Sequence, residues 1–538
     1  MPHLQRLPDE ILLLIIINLS SSKDVAALSI QFRRMHQVCA PDLAKRRRYR
    51  RIRIRKDEHL NPAFEILLSI LRKPYLGTYV RHLEIDRQPV HSSAYRKVEN
   101  ADCLRSLSAS DLDLVKKAVG RLPSLRYDDD VFLTKDALLN MVLQKKIDIS
   151  PPGHRSSFYA NNTDRAVFIG QAIAVLLMSV CPELESLVLG APFIVDDGIV
   201  DPSEHHLGYR TVAFPLDRFL NSVTSSDDES AESNWGLEPG GLYLQEVRSI
   251  EFLPRPYLSS KWYSPCDIRS CLDITQDLPN LQAISVDGMK DFDESYFRHH
   301  LGRNNIQNIR LHRSLVGTGV LVRLICAPRK LREFTYTSGY VDYMPLAELG
   351  GKYGHVGRRA HESEDPYTFN TPWFIGGILN HKKTLETLEL DCDYQFQNDG
   401  SSRPVSRWLQ SPPWSLGNHG SLKDFTALTC LDVGVEMFFV LVKGAGPGSK
   451  SESLDLIDEL PQKLHSLTIR GYEKGKDPER DGQLENLEHG VNSGLYPRLK
   501  EVRGIRERIP AGTYALRETW LGGEDPDFTL DDWTDYDE

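Results

Sequence analysis

A chain of 538 residues with 40% apolar content has ample length for a sizeable core, and length alone suggests three or four domains unless repeats are present. Its formal charge of −10 argues against bulk nucleic-acid affinity, although a local basic patch can still act. The eight cysteines, Cys39, Cys103, Cys181, Cys266, Cys271, Cys326, Cys392 and Cys430, include no CxxC pair. Such scatter excludes a disulfide framework and points to a reducing intracellular compartment, cytoplasmic or nuclear.

The opening residues, LPDEILLLIIINLSSSKDVAALSIQFRRMHQVCAPDL, contain three short helical signals. The first helix is predicted from Pro8 to about Leu19, with proline at the first helical position and Asp9 and Glu10 complementing the positive end of the dipole. Its apolar residues, Ile11 to Ile17, cover every side, so two surfaces must cover it. The run is far shorter than the roughly 20 residues that span a bilayer, and the acidic residues before it do not suit a secretion signal. A second helix opens at Ser21, followed by Asp24 in a capping-box pattern, and shows Val25 and Leu28 at helical spacing. The third carries Met35 and Val38 and is expected to stop near Pro41. Three helices in about 40 residues rarely stand alone without a metal, disulfides or a partner, and no metal-ligand spacing is present.

Leu7-Pro8-Asp9-Glu10-Ile11, Ile15, Leu19, Asp24-Val25, Leu28-Ser29, Arg33-Arg34-Met35, Pro41 and Leu43 together resemble the F-box, the adaptor-binding module of cullin-RING ubiquitin ligases, in its fungal wording. The likeness covers under a tenth of the chain. Phe32, where a small residue is common, and Ala44, where an aromatic is frequent, depart from the pattern. The resemblance implies that Leu7, Pro8, Ile11, Ile15, Leu19, Val25 and Leu28 divide between the module's own core and a surface that docks on a Skp-family adaptor and, through it, a cullin.

Beyond this module a phrase returns: leucine, two residues, apolar, one residue, apolar. It is read at Leu184–Leu189, Leu281–Val286, Ile306–Leu311, Leu331–Tyr336, Leu385–Leu390 and Leu464–Ile469, with weaker copies at Val80–Ile85, at Val247–Phe252, from Leu422 and from Leu499. Its last two apolar positions alternate as a short strand does. Helical stretches at Asp164–Val180, Gly319–Cys326, Thr371–Asn380 and Ser453–Leu460 precede several copies. Strand plus helix, repeated, is the leucine-rich-repeat plan. Ile284, Ile309 and Phe334 keep a spacing that suits it, but other intervals are longer, so the expected fold is an irregular leucine-rich-repeat-like α/β solenoid. Such divergent repeats frequently follow F-box modules.

The expected organisation is an F-box at 1–48, a basic linker and start of the solenoid at 49–75, repeats with long insertions at 76–510 and an acidic tail at 511–538. On that plan the residues between strand hydrophobics line a face available to a protein substrate, among them Arg310, Glu333, Thr335, Glu389 and Thr468. Segments 221–241, 349–370, 397–420 and 471–495 read as polar loops or disorder, in which Trp235, Trp408 and Trp414 are candidate anchors or hot spots. The run Lys45–Lys56, KRRRYRRIRIRK, holds nine basic residues. It reads as an edge strand starting the solenoid, an import address or a phosphate-binding arm. Val433–Val442 reads as a buried strand before GAGPGSKS, but Ser449 stands where a phosphate-binding loop needs glycine.

No catalytic residues, metal or cofactor are expected. By resemblance the chain is a non-enzymatic substrate receptor of an SCF-type ubiquitin ligase. The alternative is a protein-interaction scaffold, nuclear or nucleic-acid-associated through residues 45–56.

Overall fold

The computed structural model describes residues 6–19, 21–86, 101–123, 134–145, 163–190, 214–224, 243–253, 278–290, 305–314, 316–338, 371–393, 420–443 and 456–511, with a few isolated residues between 255 and 275. Three helices open the chain: α1 (Asp9–Asn18), α2 (Ser22–Ser29) and α3 (Arg33–Arg50). Pro8 occupies the position before the first helical residue, and Ser21 caps α2 by accepting a hydrogen bond from the Asp24 amide at 3.3 Å. The third helix does not stop near Pro41. It continues to Arg50 because Asp42, Arg46 and Tyr49 in its second half are buried, and that packing offsets the backbone bond the proline removes.

Eleven parallel strands follow in chain order in a single sheet: β1 (Arg51–Ile54), β2 (His82–Ile85), β3 (Ser186–Gly190), β4 (Ser249–Leu253), β5 (Ala283–Asp287), β6 (Asn308–Ser314), β7 (Glu333–Ser338), β8 (Thr387–Asp391), β9 (Cys430–Gly434), β10 (Ser466–Arg470) and β11 (Glu501–Arg503). Strictly sequential parallel order requires a crossover after each strand, which is the leucine-rich-repeat-like α/β pattern. The chain divides into two compact units, with β1 to β5 in the first and β7 to β11 in the second.

Each unit is held by in-register apolar rows. In the first, Ile52, Leu83, Leu187, Ile250 and Ile284 are successive partners. In the second, Phe334, Leu388, Leu431, Leu467 and Val502 are. The structure also completes the repeated phrase. Tyr49-x-x-Ile52-x-Ile54 is a copy led by tyrosine, and Leu428-x-x-Leu431-x-Val433 replaces the weak copy placed at Leu422, which instead forms a short 3-10 turn closed by Ser421 and Asp424. Leu467 is fully buried between two neighbouring rungs. Leu467→Ala is therefore expected to cost about 2–5 kcal/mol, read as a fall in denaturant midpoint.

Helices α4 (Leu60–Arg72), α5 (Ala109–Arg121), α6 (Lys135–Leu143), α7 (Thr163–Val180) and α8 (Pro215–Thr224) belong to the first unit. The second contains α9 (Thr318–Cys326), α10 (Thr371–Leu379), α11 (Val435–Lys443) and α12 (Pro478–Asn492). Two sequence expectations are corrected here. Val433–Val442 is mostly α11, so a helix rather than a strand precedes Gly444, and the order of a phosphate-binding loop fails. Segment 471–495 is mostly α12, which starts at a capping Asp477 followed by Pro478 and buries Leu484 and Leu487. Likewise 221–224 is the last turn of α8. The insertions at 225–241, 349–370 and 397–419, with their three tryptophans, and the acidic tail from 512 lie outside the described residues, as do residues 444–455.

One inter-repeat joint in the second unit is ionisable. Asp393, just after β8, accepts hydrogen bonds from the amides of Glu436 at 2.9 Å and Met437 at 3.1 Å, capping α11. A Cβ on Gly434 would stand 2.4 Å from its carboxylate, so glycine is required by space. Burial pushes the Asp393 carboxyl up to about 6, with the two amide bonds opposing and Asp391 and Glu436 adding to the rise. A raised folded-state pKa means stability present below the unfolded value near 4 and lost as pH rises through about 6. The stability difference between wild type and Asp393→Asn should therefore shift against wild type by about 2–3 kcal/mol between pH 4 and 7, checked by thermal unfolding at both pH values.

Candidate functional site

The first candidate surface lies on α1. Leu12 and Ile16, four residues apart, are buried and form a small core with Val25, Met35, Val38 and Cys39. Leu7, Leu19, Leu28, Phe32 and Leu43 pack against that core while partly exposed. The other apolar residues of α1 turn outward: Ile11, Leu13, Leu14, Ile15 and Ile17 are 36–56% exposed. Ile30, after α2, is also exposed. Ile11, Leu14, Ile15, Asn18 and Leu19 line a shallow groove of about 380 Å³. Five large aliphatic side chains facing water on one short helix are what a protein-docking site looks like before its partner arrives.

The seven residues singled out for adaptor contact separate accordingly. Pro8, Ile11 and Ile15 are exposed, and Leu7, Leu19 and Leu28 are half-buried at the edge of the core. Val25 is fully buried, so its role is in the module's core and it cannot meet a docked partner. Leu13, Leu14 and Ile17 were not singled out as contacts, although the all-round apolar run of α1 was their signal, and nothing in the sequence pointed to Asn18.

Two arginines of α3 fix how α1 is presented. Arg34 donates to Asp9 Oδ1 at 2.6 Å and to the Leu7 carbonyl at 2.8 Å, tying down the start of α1. Buried Arg46 donates to the carbonyls of Ile16 at 2.9 Å and Leu19 at 2.6 Å, satisfying the last turn of α1, and to Asp42 Oδ2 at 2.6 Å. Its guanidinium lies 4.4 Å from the ring centroid of Tyr79, whose hydroxyl donates to Asp42 Oδ1 at 2.8 Å. Burial and the Asp42 bond push the Tyr79 hydroxyl's pKa well up. Since Tyr79 leads into β2, and α3 runs without interruption into β1, α1 is tied directly to the first repeats.

The basic run is built into these elements. Arg46 belongs to the lock just described, while Arg51, Arg53 and Arg55 all donate to Glu84 of β2. Residues 51–54 form the terminal strand of the sheet, as the edge-strand reading expects.

The second candidate surface is the sheet face formed by residues between the apolar rows. In the second unit Glu333, Thr387, Cys430, Ser466 and Glu501 stand in one row, with Thr335, Glu389, Asp432, Thr468 and Arg503 in the next. Glu333, Glu389 and Thr468 are half-buried. Thr335 is 2% exposed and its hydroxyl donates to Glu389 at 3.4 Å, so it supports the face and does not offer a contact. Arg310 is exposed and belongs to the first unit. Asp432 receives both arms of Arg470 at 2.6 Å. Burial raises the Cys430 thiol's pKa, and the carboxylates of Asp432, Glu389, Glu501 and Glu333 raise it further.

The described cysteines carry free thiols, and among the described residues no group of histidine, cysteine, aspartate and glutamate has the arrangement of a metal site. No described helix is long and apolar enough to cross a membrane. Fold and surfaces together define a class: an N-terminal three-helix module whose first helix exposes apolar side chains, joined to leucine-rich-repeat-like parallel α/β units. No protein-family model matches the chain, and no curated protein matches it.

Proposed function

We propose that this chain is the substrate-recognition subunit of a cullin-RING ubiquitin ligase, binding a Skp-family adaptor through α1 and its neighbours and a protein substrate through the sheet face. The observation that carries the reading is the exposure of Ile11, Leu13, Leu14, Ile15 and Ile17 on one helix of a module whose residues resemble the F-box. The physical gain is effective concentration: a target held on the repeats presents its lysines to a charged conjugating enzyme intramolecularly. The direct attachment of α3 to β1, with Arg46 and Tyr79 bridging the join, suits a receptor that must hold its target at a set distance from the adaptor. The nucleic-acid scaffold reading has less support, because Arg46, Arg51, Arg53 and Arg55 of the basic run are engaged by Asp42, Glu84 and backbone carbonyls.

The test is co-purification of the full chain with a Skp-family adaptor, with and without aspartate at Ile11 and Ile15. Adaptor retained by the wild type and lost from the variant supports the reading. Adaptor absent from both overturns it and puts the scaffold reading first.

A further inference from the structure

The parallel ladder of the second unit is open at its last strand. Within that unit the carbonyls of Arg332, Glu386, Thr429 and His465, each just before a strand, accept from the amides of Glu386, Thr429, His465 and Lys500 at 2.7–2.9 Å. Lys500, just before β11, is next in that series, and among the described residues no backbone amide donates to its carbonyl. Glu501 donates to the His465 carbonyl at 3.3 Å, which turns Glu501 and Arg503 toward β10. By the alternation of a parallel ladder, the amide and carbonyl of Val502 then face outward. No described strand pairs with that outer edge. Nor does the chain following β11 extend the sheet. Gly504, at φ +88° and pressed against the Ile469 carbonyl where only glycine fits, turns the chain, and the Ile509 carbonyl then accepts from the Gly471 amide at 2.8 Å, just after β10.

Charged side chains commonly guard a bare edge against pairing. Here their arrangement favours one partner. Glu501 and Arg503 flank Val502 with opposite signs, and their side chains are 46% and 58% exposed. When a second β11 approaches antiparallel, with the two Val502 residues on the two-fold axis, Glu501 of each copy lies opposite Arg503 of the other. Opposite positions stand about 5 Å apart, where unlike charges stabilise the pairing and like charges oppose it. The Glu501–Arg503 pair within each copy is kept, so four charges alternate in sign around a rectangle. The two Val502 residues exchange two N–H···O bonds across the axis. Val502 is half-buried, whereas Leu467 beside it on β10 is fully buried, so the apolar row ends partly uncovered and a second copy covers it.

We propose that the outer edge of β11 is a self-association site, at which two copies of this chain pair antiparallel through Glu501, Val502 and Arg503 and join their sheets. The contact is isologous, as a two-fold axis requires. Three residues a side make a small interface, so the dimer is reversible, with a Kd of roughly 10–100 µM. Sedimentation equilibrium of the full-length protein from about 1 to about 300 µM reads it as a concentration-dependent mass. Glu501→Arg alone and Arg503→Glu alone each set like charges across the axis and should weaken the dimer by at least about tenfold, with the thermal midpoint nearly unchanged. Combining Glu501→Arg with Arg503→Glu restores the alternation and should restore the dimer, a rescue specific to this register. Val502→Pro removes the outward N–H, which the β10–β11 ladder does not use, and should also give monomer. Should that variant fail to fold, the charge reversals carry the test. Ile11→Asp plus Ile15→Asp should leave the dimer intact, which separates it from association through α1. Monomer across the whole range, a dimer indifferent to both single reversals, or a double reversal as weak as the single ones would overturn the proposal. So would a monomeric Ile11/Ile15 variant, which would assign self-association to α1.

Discussion

Ile11→Asp combined with Ile15→Asp should weaken capture of a Skp-family adaptor by more than about a hundredfold while leaving the thermal midpoint of the protein nearly unchanged. Both residues lie on the outer side of α1, 42% and 36% exposed, and the inner side is carried by Leu12 and Ile16. Removing them opens no cavity. In a docked complex, each isoleucine taken from water contributes about 1.5–3 kcal/mol, and each aspartate would bring a charge into an apolar contact. Losing two such anchors costs about 3–6 kcal/mol, which is two to four orders of magnitude in Kd. Titration calorimetry against purified adaptor measures it directly. Leu12→Asp is the contrasting control, because it should lose the module's fold and its binding together. Full adaptor affinity in a folded Ile11/Ile15 variant would remove α1 from the interface.

The largest effect from a residue outside the docking face is expected at Arg46. Arg46→Met leaves buried Asp42 without its cation and removes the side-chain donor that the carbonyls of Ile16 and Leu19 share at the end of α1. Breaking a buried ion pair by removing one partner typically costs about 3–5 kcal/mol, and the module core contains only six buried residues to oppose it. We expect α1 to lose hydrogen-exchange protection before the repeats unfold, with adaptor affinity falling in proportion. Tyr79→Phe removes one hydroxyl bond to Asp42 and keeps the ring under the guanidinium, so it should cost only about 0.5–1.5 kcal/mol. Unaltered protection of α1 amides in Arg46→Met would show that the contact is geometric without being energetic.

Much of this molecule was legible in local pattern. The strand phrase works because alternation places two apolar side chains on one face whatever surrounds them, and ten of the eleven strands coincide with a copy read from sequence or one led by tyrosine at the same spacing. The β9 copy was displaced because Leu422 offered the same leading residue slightly earlier, and only register with β8 selects Leu431 and Val433. The course of α3 through Pro41 and the helix at 478–492 were missed for a related reason. Proline and polar composition are local breaking signals, and each was outweighed by side chains buried against distant residues.

The sequence by itself determined the repeated strand, the three-helix opening and the surplus of apolar surface on α1, because each follows from spacing along the chain. Only the tertiary structure decided which isoleucines remain exposed, that Val25 is core, and that within the basic run Arg46 locks α1 while Arg51, Arg53 and Arg55 gather around Glu84. The physical reason is that burial and charge pairing depend on residues about 30 positions away, such as Arg46 with Ile16 and Arg53 with Glu84, and spacing along a chain does not report which distant groups folding will bring together.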